Sequence, residues 1–157
     1  MKIPLYQIDA FAERSFSGNP AAICLLDEWL GDEVMQSIAL ENNLSETAFV
    51  VGGNGAYDLR WFTPSCEMDL CGHATLASAH VVLNTLEPDC QEVRFSTRSG
   101  DLLVKRDGQR LSMDFPAIEN QPTETPAGLA EAIGAEIEQA FTSSQYQMVV
   151  LANAEQV

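Results

Sequence analysis

A glutamate and a histidine are the residues of this sequence best suited to moving a proton. Glu46 lies in Asn43–Phe49, between a predicted helix end and an apolar strand, so we expect it to be half-buried. Burial disfavours a carboxylate anion and so helps such a group to accept and return a proton. His73 begins a predicted helix, where an imidazole can donate to a ligand or relay a proton. The residues alone equally allow structural roles, with Glu46 bonded to Ser45 or Thr47 and His73 capping or packing.

The start of that helix offers a second kind of chemistry, the binding of an acid group. Unpaired N–H groups and the helix dipole attract carboxylates there, and Gly72 lets the backbone approach a ligand closely. Cys71 precedes it. A pKa lowered by the helix start would make Cys71 a thiolate base or nucleophile, whereas a buried Cys71 would be an apolar thiol.

Four potential zinc ligands also lie close together in the sequence: Cys66, Cys71, His73 and His80. His73 and His80 are separated by about 10.5 Å of helix rise. Zinc ligands each lie about 2.0 to 2.3 Å from the ion. We therefore predict no metal site, and the irregular cysteine spacing predicts free thiols instead of a disulfide framework.

The elements that must position these residues are many short strands and a few helices. Apolar runs and turn residues predict strands over 2–10, 21–26, 47–51, 57–63, 92–97, 101–106, 110–115 and 147–151, and helices from Asp32 to about Asn43, over 73–83 and from Thr125 towards Ile133. Gly52–Gly55 predicts a hairpin turn. Residues 73–83 have small and apolar side chains all round the helix axis, which is typical of a buried helix.

Composition restricts the classes of partner. The 157 residues carry 23 acidic and 8 basic side chains, a net charge of −15, with 46% hydrophobic residues. Nucleic acids and anionic membranes bind through Lys and Arg, so we expect neither as a partner. The sequence contains no apolar run of the roughly 18 to 20 residues that a membrane span needs and no signal peptide, so we expect a cytoplasmic protein.

The composition changes after Phe115, beyond which prolines, Thr and Glu dominate and Lys and Arg do not occur. We predict a first lobe over residues 1–117, a linker over 118–127 and the start of an incomplete second lobe over 128–157. A segment below about 40 residues seldom folds without a partner.

Three segments resemble motifs of the phenazine biosynthesis PhzF family of isomerases, within the diaminopimelate epimerase-like fold. Ser17–Ala22 resembles the family's early Gly-Asn-Pro-Ala-Ala turn, Asn43–Phe49 its Ser-Glu-Thr segment and Leu70–Leu76 its Gly-His segment before a helix. Their order and spacing agree, and the resemblance covers residues 1 to about 115. Three motifs together are far more specific than one.

The resemblance implies an α+β fold with two pseudo-symmetric lobes, each a mixed β-sheet rolled around a central buried helix, and an active site between the lobes. It also implies an isomerase without a cofactor, in which Glu46 moves a proton between carbons of a small carboxylate metabolite and His73 assists. The substrate-binding residues that it implies are Asn19, Ser45, Gly72, Ala74 and Thr75.

Two alternatives stay open. Racemases of the superfamily use a cysteine at the position of Cys71 with a second cysteine from the other lobe, which would make this chain a two-thiol racemase or epimerase. A non-catalytic binding or interaction protein could instead retain half of the fold. Because the second-lobe residues of the family have no counterpart among residues 118–157, we expect completion by a homodimer or by a complementing second-lobe chain.

Overall fold

The structure is a computed structural model that describes residues 2–14, 16–115, 117–144 and 146–157. The chain divides into two compact units, Met1–Phe115 and Pro116–Val157. The boundary falls two residues before the predicted one. Each unit is described by itself below.

The first unit contains one eight-stranded sheet, two helices and a π-helical turn. Its elements are β1 (Leu5–Ala10), β2 (Asn19–Leu26), α1 (Asp32–Asn42), β3 (Glu46–Gly53), β4 (Ala56–Phe62), β5 (Glu67–Met68), α2 (Gly72–Val81), the π-helical turn Val82–Leu86, β6 (Glu92–Thr97), β7 (Gly100–Asp107) and β8 (Arg110–Asp114). The strand order is β1-β2-β3-β4-β6-β7-β8, with β5 paired to β4. The β2–β3 and β4–β6 pairs are parallel and the others are antiparallel, so the sheet is mixed.

Helix α2 is the centre of this unit. It contacts β1, β2 and β3 near one edge of the sheet and β8 at the other, so the sheet curls around it. Seven of its ten residues are buried, including Ala74, Ala77 and Ala79. The predicted α+β fold with a rolled sheet and a buried small-residue helix is confirmed. Small side chains all round the helix let strands approach it from several sides.

The strands separate two hydrophobic clusters because successive side chains of a strand point to opposite faces. On β3, Ala48 and Val50 belong to the inner cluster around α2. Phe49 belongs to the outer cluster, where it packs with Met35 of α1 and Phe62 of β4. The alternation therefore places α1 and α2 on opposite faces of one sheet.

Local turn chemistry ends the elements where the sequence predicted. The β3–β4 hairpin turns at Asn54 and Gly55, whose φ angles are 56° and 75°. Asn43 ends α1 with a φ of 50° in the left-handed region. The residue before α1 is Gly31, so Asp32 is the first residue of the helix and not its cap.

The second unit is smaller and differs more from the prediction. It comprises β9 (Gln121–Thr123), α3 (Leu129–Ile133), β10 (Ile137–Thr142), β11 (Gln147–Leu151) and a short 3₁₀ turn, with the strands ordered β11-β10-β9. The predicted linker 118–127 thus includes a strand, and α3 starts after Gly128, three residues later than Pro126. Strand β10 was not predicted. Its pairing with β9 is a tertiary interaction that the short polar segment Gln121–Thr123 does not signal.

None of the helices in the described part of the chain has the length and hydrophobicity that crossing a membrane requires.

Candidate functional site

Glu46 and His73 meet on the inner face of the curled sheet. Glu46 is the first residue of β3 and shares the inward parity of Ala48, while His73 is in the first turn of α2. Glu46 Oε2 lies 3.2 Å from His73 Nε2, and the two side chains are only 16% and 10% exposed. The contact has ion-pair distance but not hydrogen-bond geometry. Oε2 is buried and has no hydrogen-bond partner among the described residues.

Ser45 connects this pair to the turn before β2. Its Oγ lies 3.3 Å from His73 Nε2, 3.2 Å from Asn19 Oδ1 and 3.3 Å from the Pro20 carbonyl oxygen. Ser45 and Asn19 are exposed, so a ligand can reach them. Among the described residues the structure records no hydrogen bond from Ser45 or Thr47 to Glu46, and the Thr47 hydroxyl accepts from the Asn42 amide at 3.1 Å.

Cys71 lies on the opposite side of the imidazole. Its Sγ is 3.5 Å from His73 Nδ1, and the Cys71 side chain makes no capping hydrogen bond to the start of α2. Burial raises the pKa of Cys71 to about 12, and the nearby Glu46 adds to the rise. Of the two alternatives for Cys71, this favours the buried apolar thiol, because desolvation outweighs the lowering effect of the backbone at the helix start.

The other predicted binding residues at the start of α2 are buried, and one of them is hydrogen-bonded within the helix. Ala74 and Thr75 are fully buried. The Thr75 hydroxyl donates to the Cys71 carbonyl at 2.5 Å, and its N–H donates to the same oxygen at 3.3 Å. Substrate contact by Ala74 or Thr75 stays a prediction that their burial does not favour. The structure records no partner among the described residues for the N–H groups of Gly72, His73 and Ala74, so the first turn has donors left for a ligand.

Glu46, Cys71 and His73 also form a group of potential metal ligands, with donor atoms within 4.8 Å of one another. Glu46 and Cys71 face different ring nitrogens of His73, however, and one ion binds an imidazole through a single nitrogen. The other two potential zinc ligands of the sequence have neighbours elsewhere: Cys66 is exposed beside Thr63, and His80 is hydrogen-bonded to Asn84. The four cysteines are free thiols, as predicted.

Two neighbours of the site were not identified from the sequence. The Pro20 carbonyl is an acceptor for Ser45, and the Phe115 ring lies where a side chain on Gly72 would point, 3.4 Å from an added Cβ. Pro20 is part of the turn motif, but nothing in that motif indicates a contact with Ser45. Phe115 comes from the end of the first unit, which no local pattern connects to α2.

This chain is similar in sequence and fold to proteins of one family. The family model described as phenazine biosynthesis-like protein (PhzC-PhzF) matches residues 8–157. Two Pseudomonas aeruginosa proteins, both named as uncharacterized isomerases, are 55% and 46% identical over 96% and 100% of this chain. A PhzF-family crystal structure from Enterococcus faecalis superposes with a TM-score of 0.90 at 44% identity over the whole chain.

The chain spans only part of those proteins, namely 58% and 60% of the two Pseudomonas aeruginosa relatives and 60% of the Enterococcus faecalis chain. The matched part includes the three motifs and the inner face that carries Glu46 and His73. This chain belongs to the phenazine biosynthesis-like (PhzC-PhzF) family.

Proposed function

We propose that this chain contributes Glu46 and His73 to an isomerase that moves a proton between two carbons of a small carboxylate. The observation that carries the proposal is the buried Oε2 of Glu46, which has no hydrogen-bond partner among the described residues and lies 3.2 Å from His73 Nε2. A buried carboxylate oxygen without a hydrogen-bond donor costs folding free energy, so its presence calls for an explanation. A catalytic role, in which the oxygen takes a proton from a substrate carbon, is such an explanation.

The proposed reaction is balanced without a redox partner. Glu46 Oε2 accepts a proton from one substrate carbon as the C–H bond breaks, and the electron pair delocalises into the adjacent unsaturated system. The same carboxyl group then returns the proton to a second carbon. His73 adjoins both Glu46 and Ser45, so its ring can hydrogen-bond the substrate or stabilise the charge that develops on it.

The acid group of the substrate would bind at the start of α2. The N–H of Gly72 and the positive end of the helix dipole suit an anion in spite of the net charge of −15. Asn19 and Ser45 supply exposed polar groups nearby. These features favour a small carboxylate over a neutral ligand.

The site supports a two-thiol racemase less well than an isomerase that uses Glu46. A racemase base must reach a substrate carbon as a thiolate, whereas burial leaves Cys71 7% exposed and raises its pKa to about 12.

The test is proton exchange between solvent and substrate carbons. The chain is joined in one polypeptide to the part of the 55% identical Pseudomonas aeruginosa relative that it does not match, and small unsaturated carboxylates are incubated with it in D₂O. We expect deuterium at a carbon of at least one of them. Glu46→Gln should lower the exchange rate at least about 1,000-fold.

The matched control is Glu41→Gln, because Glu41 is an exposed glutamate of α1. It should exchange at the unsubstituted rate. Full activity of a folded Glu46→Gln protein, or the absence of exchange for every carboxylate with the folded chimera, would overturn the proposal.

A further inference from the structure

Cys71 has a defined hydrogen-bond environment at the start of α2. Its side chain does not cap the helix, and the structure records no hydrogen bond to the sulfur from a backbone N–H group of the described residues. The residue is 7% exposed, which leaves little access for water. The S–H proton must therefore find its acceptor inside the protein.

The acceptor within reach is an imidazole nitrogen. Sγ of Cys71 lies 3.5 Å from Nδ1 of His73, a normal distance for a hydrogen bond that involves sulfur. Burial raises the pKa of Cys71 to about 12, so the group is a protonated donor at neutral pH. A nitrogen that accepts this proton cannot carry its own.

The other nitrogen of the ring faces an acceptor. Ser45 Oγ has one proton, and it lies 3.3 Å from the Pro20 carbonyl and 3.2 Å from Asn19 Oδ1, both of which accept. Its lone pairs are then free to accept from His73 Nε2 at 3.3 Å. The carboxylate of Glu46, 3.2 Å from the same nitrogen, favours a proton there as well.

We propose that Cys71 is a positioning residue that donates its S–H to Nδ1 of His73 and thereby holds the ring in the tautomer with the proton on Nε2. The hydrogen-bond chain runs from Cys71 through His73 to Ser45 and on to the Pro20 carbonyl. A thiol at this position is therefore part of the acid–base site without being a nucleophile.

The tautomer of His73 would affect the proton transfer, and this step rests on the proposed function. With its proton on Nε2, His73 presents an N–H group to the substrate side of the site, and the positive end of that N–H dipole lies near the Glu46 carboxylate, 3.2 Å away, without hydrogen-bond geometry. The opposite tautomer would place a lone pair against the carboxylate, and the two would repel each other. Cys71 would thus act on the reaction only through the orientation and protonation of His73.

Nitrogen NMR of the 157-residue chain tests the tautomer directly. The sequence has two histidines, so a ¹⁵N-histidine sample gives two ring spectra, and His80→Asn assigns them. Two-bond ¹H–¹⁵N couplings then show which nitrogen of His73 is protonated. We expect the Nε2–H form to dominate in the unsubstituted chain.

Cys71→Ala removes the donor and should lower the ratio of the Nε2–H to the Nδ1–H form about three- to ten-fold. Cys71→Ser, which keeps an O–H donor, should restore most of that ratio. Cys24→Ala is the matched control, because Cys24 is equally buried but belongs to the outer cluster. It should leave the ratio unchanged.

An Nδ1–H form of His73 in the unsubstituted chain would overturn the proposal, and that measurement needs no variant to fold. An unchanged ratio in a folded Cys71→Ala chain would also overturn it. The measurement uses no substrate, so its outcome is independent of proton exchange. The predicted tautomer without exchange in the chimera would count against the proposed function alone.

Discussion

Glu46 of β3 is the register partner of Ala21 of β2 in a parallel pair. Parallel pairing brings the beginnings of both strands to the same end of the sheet. The turn that carries Asn19 therefore lies beside Ser45 and Glu46, although some 25 residues separate the two segments. One strand register thus assembles two of the three sequence motifs into one site.

Gly72→Ala should impair substrate binding without weakening the fold. The φ angle of Gly72 is outside the left-handed region, and an added Cβ would lie 3.4 Å from Cζ of Phe115, an ordinary contact distance. We expect the free energy of unfolding to stay equal or to rise by up to about 1 kcal/mol. In the chimera we expect KM for the exchanging carboxylate to rise about ten-fold or more, because the methyl group, packed beside the Phe115 ring, would narrow the approach of an acid group to the Gly72 N–H.

Gly31→Ala is the matched control, since Gly31 precedes α1 and a Cβ there meets no atom within 4 Å in the described part of the chain. Its KM should not change. An unchanged KM for Gly72→Ala would contradict a carboxylate site at the start of α2.

Gly52→Ala should destabilise the hairpin, whereas Gly53→Ala should not. Gly52 has a φ of 141°, and an added Cβ would lie 2.5 Å from the Ala56 carbonyl oxygen and 2.8 Å from Tyr57 Cα. We expect a loss of about 1 to 3 kcal/mol in the free energy of unfolding. A Cβ on Gly53 meets no described atom within 4 Å, so its change should stay within about 0.5 kcal/mol. Urea denaturation of both variants measures the difference, and equal losses would argue against this turn geometry.

Arg60→Met should cost more stability than the loss of a surface ion pair. The Arg60 guanidinium donates to both Glu67 oxygens at 2.6 and 2.7 Å and to Asp32 Oδ1 at 2.9 Å. The side chains of Arg60 and Glu67 are 19% and 13% exposed, so the carboxylate would lose charged donors where water is scarce. We expect a loss of about 2 to 3 kcal/mol in thermal or chemical unfolding.

Lys105→Met provides the comparison for Arg60, because Lys105 and Glu92 are both 57% exposed and 3.5 Å apart. Its loss should stay below about 1 kcal/mol. Similar losses for the two variants would mean that the Arg60 network contributes no more than a surface pair.

The Tyr57–Glu87 hydrogen bond should make stability depend on pH in the acidic range. The Tyr57 hydroxyl donates to Glu87 Oε1 at 2.6 Å and is the main cause of the lowered pKa of Glu87. A carboxyl group whose pKa is lower in the folded state stabilises the fold above its unfolded pKa, about 4.3, and that contribution is lost as the pH falls towards the folded value.

We therefore expect Tyr57→Phe to lower the free energy of unfolding by about 1 to 2 kcal/mol at pH 7. The difference from the unsubstituted chain should shrink as the pH falls below the unfolded pKa of about 4.3 towards the lowered folded pKa of Glu87. Tyr6→Phe should show no such pH dependence, because the structure records no hydrogen bond from the Tyr6 hydroxyl in the described residues. A Tyr57→Phe difference that is equal at pH 7 and pH 3.5 would contradict this account.

Local patterns predicted the parts of the fold that depend on neighbours in sequence. The small residues around the axis of 73–83 predicted the buried helix, and Asn54 and Gly55 predicted the hairpin turn. The pKa of Cys71 depends instead on burial by residues from elsewhere in the chain, so the sequence left the thiolate and the apolar thiol as open alternatives. The meeting of Glu46 with His73 also depends on tertiary structure, and the family resemblance, not the spacing, indicated it.

Side chains alternate between the two faces of the sheet along β3, so the two faces can vary in sequence separately. Glu46 and Phe49 belong to one short strand but face opposite sides of the sheet, so mutations that repack α1 against Phe49 change the side that does not carry Glu46. A combinatorial library confined to Met35, Phe49 and Phe62 would vary the thermal stability without changing the residues of the candidate site. A library at Asn19, Ser45 and Gly72 would explore ligand preference on an unchanged scaffold.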